Sequence, residues 1–172
     1  LIIDLDPQGN ASTGLGLQAL DRKINSYHLL VGESDVVGTI QDTDIPGLSV
    51  IPSGVDLAGA EIELIEVENR LHCLKFALEI YTANYDYVLI DCPPALGLLT
   101  INALIAADAV LVPMQCEFFA LEGISHLVRT INRVRKAHNP DLDIQGIVLT
   151  MFDSRNNLSD SVASEVREHF GD

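Results

Sequence analysis

Carboxylates stand where apolar runs stop. Leu1-Ile2-Ile3 leads into Asp4 and Asp6, Tyr87-Val88-Leu89-Ile90 leads into Asp91, and a third run, 144–150, is followed by Asp153. A carboxylate directly after an apolar strand suits a magnesium-bound phosphate. It can hold Mg2+ through water, or it can orient an attacking water. The same residue type also caps turns and helix starts, and one Asp alone would be read that way. Two such exits that run into proline turns, DPQGN at 6–10 and DCPP at 91–94, favour a site. In DCPPALG (91–97) the prolines limit the loop to few conformations and Gly97 supplies a hinge. A loop of that kind can sense whether a γ-phosphate is present. Asn10, Ser12 and Thr13 could contact phosphate, and they equally suit a turn.

Other chemistry-bearing residues give weaker patterns. Cys73, Cys92 and Cys116 lie far apart, with no CxxC and no metal spacing. They read as buried or half-buried thiols in a reducing compartment. An iron–sulfur reading of Cys92 and Cys116 would need paired thiolates at a dimer axis, and the flanking glycine motifs are absent. His28, His72, His126, His138 and His169 show no ligand spacing and read as structural or surface residues. Arg129, Arg133, Arg135 and Lys136 hold four of the ten basic residues within one helical stretch. Arg129, Arg133 and Lys136 share a face at i, i+4 and i+7. This is either a solvated helix face or part of a surface that meets DNA.

Several elements must position these groups. Continuous apolar runs at 1–5, 87–91, 109–114 and 144–150 read as strands of a parallel sheet covered on both faces, and 48–53 reads as a further strand. Helical periodicity covers 57–83, 98–107, 120–138 and 158–170, with Asn139-Pro140 ending the third. Asn157 or Ser159 suits the N-cap of the last. The stretch 20–47 reads as a polar, irregular excursion. Strands alternating with helices predict an α/β fold with a doubly wound, mostly parallel sheet and helices on both faces.

The chain has 172 residues, 48% of them hydrophobic, which is one domain by length with ample core. No apolar run reaches the ~18 residues of a membrane helix. The formal charge of −15 argues against broad nucleic-acid binding.

Five stretches together resemble the ParA/Soj family of partition ATPases, in the deviant-Walker P-loop class that includes MinD. They are DLDPQGNASTGLG at 4–16, IPSGVDLAGAEIEL at 51–64, YDYVLIDCPPALGLLTINAL at 85–104, VPMQCEFFALEGISHL at 112–127 and GIVLTMFDSRNNLS at 146–159. The resemblance implies a P-loop NTPase fold that binds ATP and Mg2+ and hydrolyses ATP. It implies that Asp6 orients or activates the attacking water and that Asp4 supports the magnesium site. Pro7, Gln8, Gly9 and Asn10 then form switch I, Asp91 is the Walker B carboxylate reaching Mg2+ through water, and Cys92, Pro93 and Pro94 open switch II. Thr150 and Met151 would lie near the adenine. Arg155 matches a position where the family uses a basic residue on DNA, beside the patch Arg129, Arg133 and Lys136.

The implied partners are a second copy in an ATP-sandwich homodimer, with 115–123 near its interface, non-specific DNA, and a centromere-binding protein of the ParB/Spo0J kind. The implied location is the cytoplasm, on the nucleoid, with no membrane association. In this family a first strand, a Gly-rich phosphate loop and a helix precede the DxDPQGN strand, a unit of about 30 residues. No GxxxxGK[ST] occurs in 1–172. The expectation is therefore a single ATPase domain truncated before residue 1 and after residue 172, with little ATP binding of its own. A MinD-like division regulator, an inactive interaction fragment and an ATP-dependent ligase of the same class are the alternatives.

Overall fold

In the computed structural model, residues 1–116 and 120–170 are described. They form two compact units, Leu1–Ala107 and Asp108–Asp172. The first unit runs β1 (Ile2–Asp4), α1 (Asn10–Gly14), α2 (Ser26–Val31), α3 (Val36–Thr39), β2 (Gln41–Asp42), β3 (Ser49–Ile51), α4 (Leu57–Glu63), α5 (Cys73–Leu78), β4 (Leu89–Asp91) and α6 (Leu98–Ala106). The second runs β5 (Ala109–Gln115), α7 (Ala120–Ala137), β6 (Asp143–Thr150) and α8 (Asn157–Phe170).

The first sheet has the order β2-β3-β1-β4. β1 pairs in parallel with β3 on one side and with β4 on the other, and only β2 is antiparallel. The chain thus runs outward from β1 to β3 and returns on the opposite side of β1 as β4. Leu1, Ile3, Leu5 and Ile51 form the floor of a core that α2, α4, α5 and α6 cover with Leu29, Leu30, Leu57, Ala60, Leu64, Leu74, Leu78 and Leu99. In the second unit β5 and β6 pair in parallel. Met114 and Cys116 pack there with Ile124 of α7 and with Val162 and Val166 of α8.

All five expected strands are present, and the fold is α/β with a mostly parallel sheet. Three local expectations change. The periodic stretch 57–83 is not one helix: α4 passes into a 3-10 turn at Leu64–Glu66, and α5 begins only at Cys73. The turn ends at Val67, whose backbone is extended, Asn69 follows at a left-handed φ of 61°, and the Arg70 guanidinium donates to the Ile65 carbonyl across the break. The excursion 20–47 is not irregular. Asn25 caps α2, whose Leu29 and Leu30 are buried, and Asp35 caps α3 with a 2.7 Å bond from the Gly38 N–H. The cap of α8 is Asn156, whose Oδ1 accepts from the Leu158 N–H at 3.0 Å, rather than Asn157 or Ser159.

Candidate functional site

β1 ends in a loop that folds back onto its own last strand residue. Asp4 is fully buried, and both of its carboxylate oxygens accept hydrogen bonds from the segment that follows β1. Its Oδ2 accepts from the Ser12 N–H at 2.8 Å and the Ser12 hydroxyl at 2.6 Å, and its Oδ1 accepts from the Asp6 N–H at 3.1 Å. The Ser12 hydroxyl in turn accepts from the Ser53 N–H at 3.0 Å, which ties the loop to the end of β3. Asp4 therefore holds backbone, and Asp6, half-buried two residues on, is the carboxylate that the turn presents. The Gln8 N–H donates to Asp6 Oδ1 at 2.9 Å.

Pro7, Gln8 and Gly9 make the turn, and Asn10 opens α1. Gly9 lies at φ 64°, which favours glycine. A second restraint acts at the same residue: a Cβ there would collide with the Arg22 guanidinium. Arg22 is buried, at 9% exposure. Its Nη1 donates to the Gly9 and Ser53 carbonyls at 3.2 and 3.3 Å. Its Nη2 donates to the Thr13 hydroxyl at 2.7 Å and the Leu17 carbonyl at 2.6 Å. A charge taken out of water is tolerated only when hydrogen-bonded in this way, and the result is a clamp across the whole turn. Ser12 and Thr13, which suited either a phosphate or a turn, are engaged in holding the turn.

Asp4 and Asp91 are register partners on β1 and β4, and the Leu5 N–H donates to the Asp91 carbonyl at 2.8 Å. Asp4, Asp6 and Asp91 thus meet at adjacent strand ends, on either side of which the chain winds in opposite directions. Open α/β sheets bind ligands at such a reversal. Burial pushes the Asp91 carboxyl above the usual carboxylate range, and the charges of Asp4 and Asp6 push it further. Crowded carboxylates of this kind fit a cation in the space they share. Among the described residues no group of three or more His, Cys, Asp or Glu could hold a metal ion by itself. The donor set therefore fits a cation held partly through water and partly by a ligand's own oxygens.

Cys92 is half-buried beside Asp91. Burial, then the Asp91 charge, pushes its thiol up to about 12, so it stays protonated at neutral pH. That removes it as a thiolate ligand, and it lies in a different unit from Cys116. Pro93 is half-buried and Pro94 exposed. The Thr100 hydroxyl, one turn into α6, donates to the Ala95 carbonyl at 2.7 Å and so folds the loop against the helix start.

In the second unit Thr150 ends β6, its hydroxyl donating to the Met114 carbonyl at 3.2 Å, and Met151 follows in a left-handed conformation (φ 56°), exposed. On α7, Ile124, Ile131 and Val134 are buried while Arg129, Arg133 and Lys136 are exposed. Arg155 is not a free cation. Its Nε and Nη2 bond both oxygens of Asp153 at 3.0 and 2.9 Å. Residues 117–119, within the expected interface stretch 115–123, lie outside the described residues, as do Gly171 and Asp172. No helix among the described residues is long and apolar enough to cross a membrane.

A family model described as an AAA domain matches residues 1–144. Chromosome partitioning protein ParA of Caulobacter vibrioides is 58% identical over 174 residues, which takes in 100% of this chain and 65% of that protein. Sporulation initiation inhibitor protein Soj of Bacillus subtilis is 51% identical over 172 residues, 100% of this chain and 68% of that protein. The chain belongs to the ParA/Soj family. A solved structure described as cobyrinic acid a,c-diamide synthase from Mycobacterium smegmatis, with a bound ATP analogue and magnesium, superposes with a TM-score of 0.92 at 38% identity. The match covers 98% of this chain and 69% of that one. This member of the ParA/Soj family spans 65% of the length of the Caulobacter relative.

Arg22, Ser53 and Glu61 escaped the sequence reading. The signal for Arg22 is its isolation, since the first unit has only Lys23, Arg70 and Lys75 as further cations. The signal for the other two is their place in the 51–64 motif, to which no chemistry had been attached.

Proposed function

We propose that this chain forms the greater part of an ATP-hydrolysing chromosome or plasmid partition protein. The observation that carries the reading is the convergence of Asp4, Asp6 and Asp91 at the β1/β4 strand ends, with the Asp91 carboxyl raised by burial and then by the charges of its two neighbours. Magnesium, when bound with the nucleotide, supplies charge neutralisation to the phosphates. Asp91 and Asp6 hold it, mainly through water. Asp6 accepts a hydrogen bond from the attacking water and aims it. Asp4 keeps Asp6 in place by holding Ser12 and the Asp6 N–H. Pro7, Gln8, Gly9 and Asn10 line the phosphates as switch I, and Cys92 to Gly97 respond to the γ-phosphate as switch II. Thr150 and Met151 lie along the base. The phosphate loop of the whole protein supplies the backbone N–H groups and lysine that 1–172 lacks, so the chain by itself binds ATP poorly, and 1–172 forms one domain with that loop.

The proposed partners are a second copy sandwiching ATP, DNA without sequence preference, and a centromere-binding ParB-like protein that stimulates turnover. What supports the DNA surface is the exposed row Arg129, Arg133 and Lys136. Arg155 joins it by exchanging Asp153 for a phosphate. Such contacts read backbone only and weaken steeply with salt. The proposed location is the cytoplasm, on the nucleoid. The amide-forming activity in the name of the 38% identical structure is set aside because the relative named a chromosome partitioning protein is 58% identical.

The test is labelled ATP with Mg2+ titrated against the 172-residue chain and against the whole protein, with Asp6→Ala in the latter. Binding by the whole protein alone, and a loss of DNA- or partner-stimulated turnover of about 100-fold or more on Asp6→Ala, is expected for a residue that handles the attacking water. Unchanged turnover in Asp6→Ala refutes the reading.

A further inference from the structure

The 51–64 motif touches both loops of the candidate site, and its chemistry lies at two residues. At one end Ser53 receives the first loop, through the Ser12 hydroxyl and the Arg22 guanidinium. At the other end Glu61, exposed on α4, reaches the second loop. Its Oε1 accepts from the Leu98 N–H at 2.8 Å and from the Leu99 N–H at 3.4 Å. These are the first two amides of α6, which no intrahelical carbonyl can satisfy. The N-cap residue of α6 is Gly97, which has no side chain to do so. A carboxylate from another helix replaces the missing cap.

Gly97 itself confirms how close the approach is. Its backbone is extended, at φ −89° and ψ −166°, a conformation open to any residue. No turn requires glycine there. A Cβ on residue 97 would fall inside contact distance of Glu61 Oε1, so a side chain there would displace the carboxylate from the Leu98 and Leu99 amides. The glycine at the end of DCPPALG thus leaves room for its neighbour's carboxylate, and its own backbone is extended rather than in a conformation that requires glycine.

We infer that Glu61 is a positioning residue for the 91–97 loop, fixing its far end to α4 so that movement of either loop is transmitted through the 53–61 segment. The near end of the loop is already fixed by β4, and Thr100 folds its middle through the Ala95 carbonyl. Glu61 completes the set of restraints, and it is the member whose side chain is exposed and therefore removable without opening the core. The assignment of a nucleotide-sensing role to the loop rests on the proposed ATPase function; the anchoring itself does not.

The experiment has two arms. In the 172-residue chain, amide hydrogen exchange at Leu98 and Leu99 is followed by NMR. Glu61→Ala is expected to speed it about fivefold, the factor for loss of one helix cap, whereas Glu61→Gln, which keeps the Oε1 acceptor, stays close to the parent. In the whole protein, turnover is normalised to bound ATP, so that a fall in folded fraction does not count. Glu61→Ala is expected to lower it about fivefold at unchanged KM, Glu61→Gln to rescue it, and Gly97→Ala to add nothing to Glu61→Ala, because residues acting through one contact are not additive. Unchanged exchange in Glu61→Ala overturns the anchoring. Faster exchange with unchanged turnover per bound ATP overturns the positioning role while leaving the ATPase reading intact. A parent protein that hydrolyses no ATP overturns the ATPase reading, and with it this role for Glu61.

Discussion

Replacing Asp4 by Asn separates a carboxylate that holds the loop from one that merely lies near it. The two side chains have nearly the same shape, so the cavity is unchanged. The donors are not. Oδ2 faces the Ser12 N–H and hydroxyl, and Oδ1 faces the Asp6 N–H. Whichever way an Asn amide is turned, its NH2 meets a backbone N–H that then has no acceptor. A buried donor left unpaired costs about 1–3 kcal/mol, and hydrogen bonds to a charged acceptor contribute about 1.5–3 kcal/mol that a neutral amide only partly replaces. With Asp4 fully buried, neither quantity is diluted by water. The expected loss is about 2–4 kcal/mol. In urea, at a slope of about 2 kcal/mol per molar, that moves the unfolding midpoint of the 172-residue chain down by about 1–2 M. Asp42→Asn, on the exposed face of β2, serves as the control and should stay within about 0.5 kcal/mol. Ser12→Ala should cost less in the Asp4→Asn background than in the parent, because the two share one network. A midpoint for Asp4→Asn within about 0.3 M of the parent, well below the expected slope-scaled shift, would show that the loop is held by something else.

Three further outcomes are expected. Asp91 has a folded-state pKa above its unfolded value near 3.8, so the folded chain binds the extra proton; the stability this contributes is present below the unfolded value and lost as pH rises through the raised one, and urea melts against pH should show that loss in the parent but not in Asp91→Asn. Gly9→Ala should cost about 2 kcal/mol or more, since it meets both a left-handed backbone and the Arg22 guanidinium, whereas Gly47→Ala, at φ 79° with nothing within 4 Å, should cost only the ~1 kcal/mol of the backbone term. Cys92, with its thiol at about 12, should resist iodoacetamide at neutral pH in the folded chain and react once unfolded, as read by mass spectrometry of the labelled peptides.

The strands were legible because short continuous apolar runs bounded by turn formers mark them, as AVLVPM marks β5, although β5 is not covered on both faces as expected and leaves Leu111 exposed. Carboxylates at strand ends were legible for the same reason, since they break those runs abruptly. Periodicity failed at 57–83 because it reports which residues face a core, and α4 and α5 face one core with a break at Asn69 between them. The stretch 20–47 was misread because its caps, Asn25 and Asp35, are the residues that elsewhere make turns. The division of labour between Asp4 and Asp6 was hidden because it depends on Ser12, eight positions on, and on Ser53, which only the β1/β3 pairing brings near. Glu61 was hidden for a similar reason, its partners lying 37 and 38 positions away.

The position of β1 at the centre of the sheet sets a schedule for synthesis. Both of its neighbours in the sheet are made after it: β3 about 50 residues on and β4 about 90. At about 5–20 residues per second, β1 waits about 2–10 s for one partner and about 4–17 s for the other. Throughout that interval the edges of β1 lack the partners that they have in the fold. Delays in translation between 52 and 88 fall in the half-built stage, when β3 is present and the β4 side of β1 is still bare, and that is where a slow codon run would do the most harm.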